Sequence, residues 1–325
     1  MSIDREASLP KYISFRGHGM SSVPVPITTT NATFYAFAFH SDPTLVQQLV
    51  DATLNQVAPD EHHYVVLGQH VLLCYMHCEH CVSPANIGWQ GDHETAFFVP
   101  LMQLSDDWPP VKLVLWVPYL FIDSPFGLLT GREVWGFNKT YGTTAMPLDP
   151  SDPTTFVSDT YLSATLDNRC PVEFETLLAL GREGALGALV PTLHDTRALA
   201  EAIDRELGPW TVTWKGKERA IDFPQYFWNV TVPFINVKQV RDATFSRRAA
   251  LMQLVETGIE PTKILGAGLM PCGFDLTITP CQSHPIARDL GLLDANPDGT
   301  YPASFGLWVK MNWQAGPGTI VFEAQ

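Results

Sequence analysis

A β-rich α+β fold is predicted by three features of the sequence. Short apolar runs rich in β-branched and aromatic residues recur along the chain, as strands require. Its 26 Pro and 23 Gly are spread throughout the 325 residues, which suits many short strands joined by turns. No segment alternates as strand, helix and strand around a glycine-rich phosphate turn, which argues against a dinucleotide-binding fold.

Taken in order, Thr33–Phe39 reads as the first strand. Asp42-Pro43 is a helix start, and Leu45, Val46, Leu49, Val50 and Leu54 then recur at helical spacing, so a helix is predicted from Pro43 to about Val57. Strands follow at His63–Val66, Val71–Tyr75, Ala96–Leu101 and Lys112–Leu120. A short helix is expected from Phe126 to just before Trp135, then a strand at Phe156–Leu166. Thr192–Leu207 carries an apolar stripe ended by Gly208-Pro209 and reads as a helix. Trp210–Trp214, Phe227–Val232, Phe274–Thr279, Phe305–Met311 and Ile320–Glu323 read as further strands. Ser246–Thr257 fits helix or strand, and Gly266-Ala267-Gly268 reads as a turn.

The formal charge of −14 repels phosphate backbones and anionic lipid surfaces, so neither nucleic acid nor a membrane is an expected partner. The longest apolar run, Leu113–Ile122, is too short to span a bilayer. The N-terminal residues lack the apolar core of a secretory signal, so a soluble, cytoplasmic protein is expected. Six Cys in a chain of this length do not suggest a disulfide framework.

Two clusters carry chemistry. The first is Gly131-Arg132-Glu133-Val134-Trp135-Gly136-Phe137-Asn138-Lys139-Thr140-Tyr141-Gly142. A lysine in the company of Trp135, Phe137 and Tyr141 is expected to be desolvated, which disfavours the ammonium and lowers its pKa. Only the neutral amine attacks a carbonyl, so Lys139 is the candidate Schiff-base nucleophile. The plain alternative is a lysine at a strand end with its head in water. The second cluster is Cys74, Cys78 and Cys81, with His77 and His80 between them. Its cysteine spacing matches iron–sulfur ligation, and the two histidines make zinc an alternative. No strand–helix repeat or distant Cys/His pair completes either site, so no metal is expected there and the segment reads as an unligated loop near the pocket.

The segment 131–139 resembles the active-site signature of the acetoacetate decarboxylase family, in which Gly-Arg-Glu leads to an aromatic residue and the Schiff-base lysine. Phe121-Ile122-Asp123, the relation of Glu94 to Pro100, Asp275–Leu292 and Phe305–Glu323 continue the resemblance along most of the chain. It implies one domain over residues 1–325, built as an antiparallel β barrel or cone with a few peripheral helices and a helical insert around 182–220. It implies a cofactor-free carbon–carbon lyase, a decarboxylase in the first instance, and a homo-oligomer acting on a small-molecule carbonyl substrate. Glu94 would assist proton transfer, while Arg132, Trp135, Phe137 and Tyr141 would contact the substrate. Arg132 could also hold a substrate carboxylate in a bidentate grip, or pair with Glu133.

Three departures move the expected substrate away from acetoacetate. Thr140 stands where the family has a second lysine, Asn138 where it has proline, and Ala32 where it has an arginine for the substrate carboxylate. An aldol, dehydration or cyclisation reaction through the same iminium is therefore a second expectation. A non-catalytic binding barrel is a third.

Overall fold

The computed structural model describes residues 9–13, 22–58, 62–85, 88–105, 110–182, 196–222, 232–270 and 273–324. Its strands are β1 (Ile27–His40), β2 (His62–Val66), β3 (His70–Val82), β4 (Trp89–Ser105), β5 (Pro110–Ile122), β6 (Lys139–Ala145), β7 (Thr155–Leu162) and β8 (Glu173–Arg182). They continue with β9 (Thr211–Trp214), β10 (Lys217–Ala220), β11 (Val232–Arg241), β12 (Ala249–Met270), β13 (Phe274–Ile278), β14 (Tyr301–Pro302), β15 (Phe305–Ala315) and β16 (Thr319–Glu323). The sheet curls on itself. β4 pairs with β5, so β5, β11, β12, β15, β1, β3 and β4 follow one another around a closed ring. An arm of β6, β7, β8, β13 and β14 leaves this ring at β5.

Period-two alternation assigns each side chain to the lumen or the arm. On β1, Phe34 and Ala36 face the lumen, while Tyr35, Phe37 and Phe39 turn outward to the arm. Phe37 meets Phe156 of β7 at 5.1 Å and Phe274 of β13 at 4.8 Å between ring centroids. Strands buried on both faces lose the polar half of the pattern, which is why Thr33–Phe39 reads as a continuous apolar run. Thr95 joins the two layers by hydrogen bonds between its Oγ1 and both Thr144 Oγ1 (2.7 Å) and Ser158 Oγ (2.5 Å). Because Phe37 is fully buried among aromatic rings, Phe37→Ala is expected to cost about 3–5 kcal/mol. Chemical denaturation would measure it, and a loss below about 1 kcal/mol would contradict this packing.

The helices are α1 (Pro43–Asp51), α2 (Leu54–Val57), α3 (Pro125–Thr130), a π-helical turn (Gly131–Trp135), α4 (Thr196–Leu207) and α5 (Ile286–Asp289). Asp42 caps α1 as its sequence implies, its Oδ1 accepting from Thr44 N at 2.8 Å. The single helix expected to Val57 is broken at Ala52-Thr53, where Thr53 Oγ1 turns back to donate to Leu49 O at 2.6 Å. Of the predicted Thr192–Leu207 helix, 192–195 lie outside the described residues, as does all of Phe227–Val232 except its last residue. Ser246–Thr257 resolves to strand from Ala249 onward, paired with β11. Gly266-Ala267-Gly268 is not a turn: it lies inside β12, where Trp308 packs so closely that a Cβ on Gly268 would sit 2.7 Å from its Nε1. The expected helical insert contains α4 and also the β9–β10 hairpin, and Gly68 N donates to Thr211 O across to the barrel at 2.8 Å. Among the described residues, no helix is long and apolar enough to cross a membrane.

Candidate active site

Lys139 is the first residue of β6, which runs parallel to the end of β5 with Lys139 opposite Leu120. Two glycines explain how the preceding segment delivers it. Gly136 ends the π-helical turn with φ 76°, a left-handed conformation that suits glycine. A Cβ there would also lie 2.7 Å from the Lys238 backbone. At Gly131 a Cβ would lie 2.6 Å from Lys139 Cε, so the lysine stem runs directly over the missing side chain. Arg132 Nη1 donates to Lys139 O at 2.8 Å and fixes the start of β6.

The lysine head is buried. Its side chain is 8% exposed and Nζ donates to Glu94 Oε1 at 2.5 Å, with the Glu94 side chain 12% exposed. Phe137 places its ring centroid 5.7 Å from Nζ. Trp135 is anchored by donation from Nε1 to Gly316 O at 2.9 Å. Lys139, Glu94, Trp135 and Phe137 all line one cavity of about 270 Å³ inside the ring. The structure thus brings together four of the six expected site residues.

The other two are elsewhere. Tyr141 is 44% exposed and packs outward against Tyr161 and Phe174. It does not line the Lys139 cavity and does not desolvate the amine. Arg132 is exposed and lines a separate cleft with Asn138 and Gln239. Its guanidinium serves the Lys139 carbonyl, and Glu133 instead accepts from Tyr12 Oη at 3.3 Å. Neither residue is positioned to hold a substrate beside Lys139.

Asp92 is a residue that the sequence alone does not single out. It lies two positions from Glu94 on β4, so alternation puts both carboxyls on one face. Asp92 is buried, its Oδ1 has no hydrogen-bond partner, and Oδ2 lies 3.9 Å from Cys81 Sγ. Burial first, then the nearby Glu94 charge, pushes its carboxyl up to about 7, with Lys139 opposing. A carboxyl raised in this way holds its proton better when folded. Its contribution to stability is full below about pH 4 and is lost as pH rises through about 7. Asp92→Asn is expected to flatten that decline in urea-unfolding midpoints measured from pH 4 to 8, whereas an unchanged slope would contradict it.

The cysteine segment is not a loop: Cys74, Cys78 and Cys81 are all buried on β3. A break in the β3–β4 register between Cys78 and Cys81 turns both inward. Those two thiols and Asp92 have ligand atoms within 4.8 Å of one another, and Cys74 is not among them, lining the Lys139 cavity instead. The three-thiolate arrangement of an iron–sulfur site is therefore not assembled. His77 stacks on His93 at 4.5 Å and His80 packs on Trp89 at 4.2 Å between centroids. Asp123, part of the family-like strand end, accepts from His93 N at 2.8 Å and meets His93 Nδ1 at 2.9 Å, pinning β4 to the end of β5.

No protein-family model and no curated protein sequence matches the chain. Solved structures do. An acetoacetate decarboxylase from Legionella pneumophila is 15% identical with a TM-score of 0.61, over 99% of this chain and 95% of that one. An acetoacetate decarboxylase-like enzyme from Sphingomonas wittichii RW1 is 11% identical with a TM-score of 0.56, over 92% and 94%. The enduracididine biosynthesis enzyme MppR, in complex with pyruvate, is 12% identical with a TM-score of 0.55, over 97% and 98%. At these identities the likeness is one of architecture, and it agrees with the mostly β barrel described above: the chain has the acetoacetate decarboxylase-like fold.

Proposed function

We propose that the protein is a cofactor-free Schiff-base lyase whose nucleophile is Lys139. One observation carries this reading: the buried Lys139 amine is paired with the largely enclosed Glu94 carboxylate at one end of an apolar cavity. Glu94 is within reach to take the ammonium proton, leaving a neutral amine and a carboxylic acid. The amine adds to a ketone to give a carbinolamine, and the Glu94 proton leaves with its hydroxyl as water. The resulting iminium draws electrons from the neighbouring carbon. With a 3-oxo acid as substrate, the bond to the carboxylate breaks, carbon dioxide leaves and an enamine remains. Protonation of the enamine carbon and hydrolysis by water then return ketone and free Lys139.

A second reading keeps the iminium and changes the bond, as in aldol addition, retro-aldol cleavage or dehydration. It is favoured by the cavity lining. Among the described residues, Lys139 is the only cation there, so no second positive side chain is present to hold a carboxylate. Oxygen-18 exchange from water into a simple ketone tests the shared step. Exchange should depend on Lys139, and turnover of a carbonyl substrate without any exchange would refute the iminium. Carbon dioxide release then separates the two readings.

A further inference from the structure

We infer that the substrate carries an elongated, uncharged apolar body extending from the Lys139 end of the cavity toward the α4 segment. The inference rests on the Schiff-base reading for the reacting end of the substrate, but its evidence lies in the rest of the cavity.

The cavity extends far beyond the reacting pair. Along β4 its wall is formed by Glu94, Ala96, Phe98 and Pro100, alternate residues of one strand face. Six residue steps of an extended strand span roughly 20 Å. Glu94 is opposite Met76 on β3 and Ile122 on β5, at the Lys139 end. Farther along, Leu72 on β3 is opposite Phe98, and the wall is completed by Ile203, Leu207 and Trp210 from outside the ring. Residues of the expected insert therefore form part of this wall.

The chemistry of the wall limits what can lie there. Among the described lining residues, Glu94, Lys139 and Thr257 are the only side chains bearing oxygen or an ammonium group. A short keto acid would occupy the Lys139 end and leave the remaining walls without contacts. A charged group farther in would lose its hydration with no described partner of opposite sign. An apolar tail instead replaces the contacts that a void forfeits on each wall.

Two measurements on the intact protein test the inference. Methyl ketones from butan-2-one to undecan-2-one are titrated by borohydride trapping on Lys139, and in parallel by quenching of tryptophan fluorescence. Half-saturating concentrations should fall about fourfold per methylene, and at least about a thousandfold across the series. Ile203→Glu, at a half-buried position on α4, should weaken undecan-2-one at least about tenfold more than butan-2-one, because it places a charge against the tail. Half-saturation that is flat along the series in both measurements overturns the inference, even if Lys139 is trapped. If no ketone is trapped but quenching tightens along the series, the Schiff-base reading fails and the apolar tail stands.

Discussion

Lys139→Met is expected to lower kcat by at least about 10⁴-fold, because a residue that forms the covalent intermediate cannot be replaced by general acid–base help alone. Methionine keeps much of the stem that passes over Gly131, where a Cβ would lie only 2.6 Å from Lys139 Cε, and removes only the amine. The substitution also removes the cation paired with the largely enclosed Glu94 carboxylate, which can disturb the local packing. Fold integrity is therefore followed by near-ultraviolet circular dichroism beside the kinetics. A folded variant with turnover within tenfold of the parent would contradict the assignment. Retained ligand binding, with no turnover in either protein, would instead identify a binding barrel.

Glu94→Gln is expected to lower kcat by about 10²–10⁴-fold, the range for losing one positioned proton-transfer group. The amide can still accept a hydrogen bond from Lys139 Nζ but cannot carry the proton from ammonium to departing hydroxyl. Adducts on Lys139 should therefore still form, only more slowly, which separates this variant from Lys139→Met. Because the two residues act in one sequence of steps, the double variant should be little worse than Lys139→Met alone. Independent, multiplying losses would mean that Glu94 acts somewhere other than on the lysine.

Much of this site was legible in the sequence because it is local. The segment 131–139 carries its own geometry: Gly131 makes room for the lysine stem and Gly136 makes the left-handed exit from the π-helical turn. Glu94 was reachable only through its place before Pro100 in the family pattern, since nothing in composition joins positions 94 and 139. Tyr141 misled because nearness in sequence is not nearness in space. Lys139 sits where β6 begins, its N bonded back to Phe137 O at 2.8 Å, so the chain is still turning and the side two residues on faces outward. Arg132 misled for a related reason, since a guanidinium near a lysine can serve the backbone as well as a substrate.

The rest was hidden for reasons of scale. Closure of the ring depends on β1 meeting β15 and on β11 touching β5 at Phe234 and Leu115, pairings across long stretches of chain. β12 runs from Ala249 to Met270 through residues that read as helix or strand and then as a turn, because its partners β11 and β15 override local preference. Asp92 carried no signal in the sequence because its burial comes from packing partners distant in sequence, including Gly127, where a Cβ would lie 3.0 Å from its Oδ2.

The central claim is covalent, and one measurement addresses it directly. The protein is incubated with a ketone, reduced with sodium borohydride, digested and mapped by mass spectrometry. A single stable adduct on the peptide containing Lys139, absent from Lys139→Met, is the expected result. Catalytic turnover of the same ketone or its 3-oxo acid precursor with Lys139 unmodified, or with the adduct on another lysine, would contradict it.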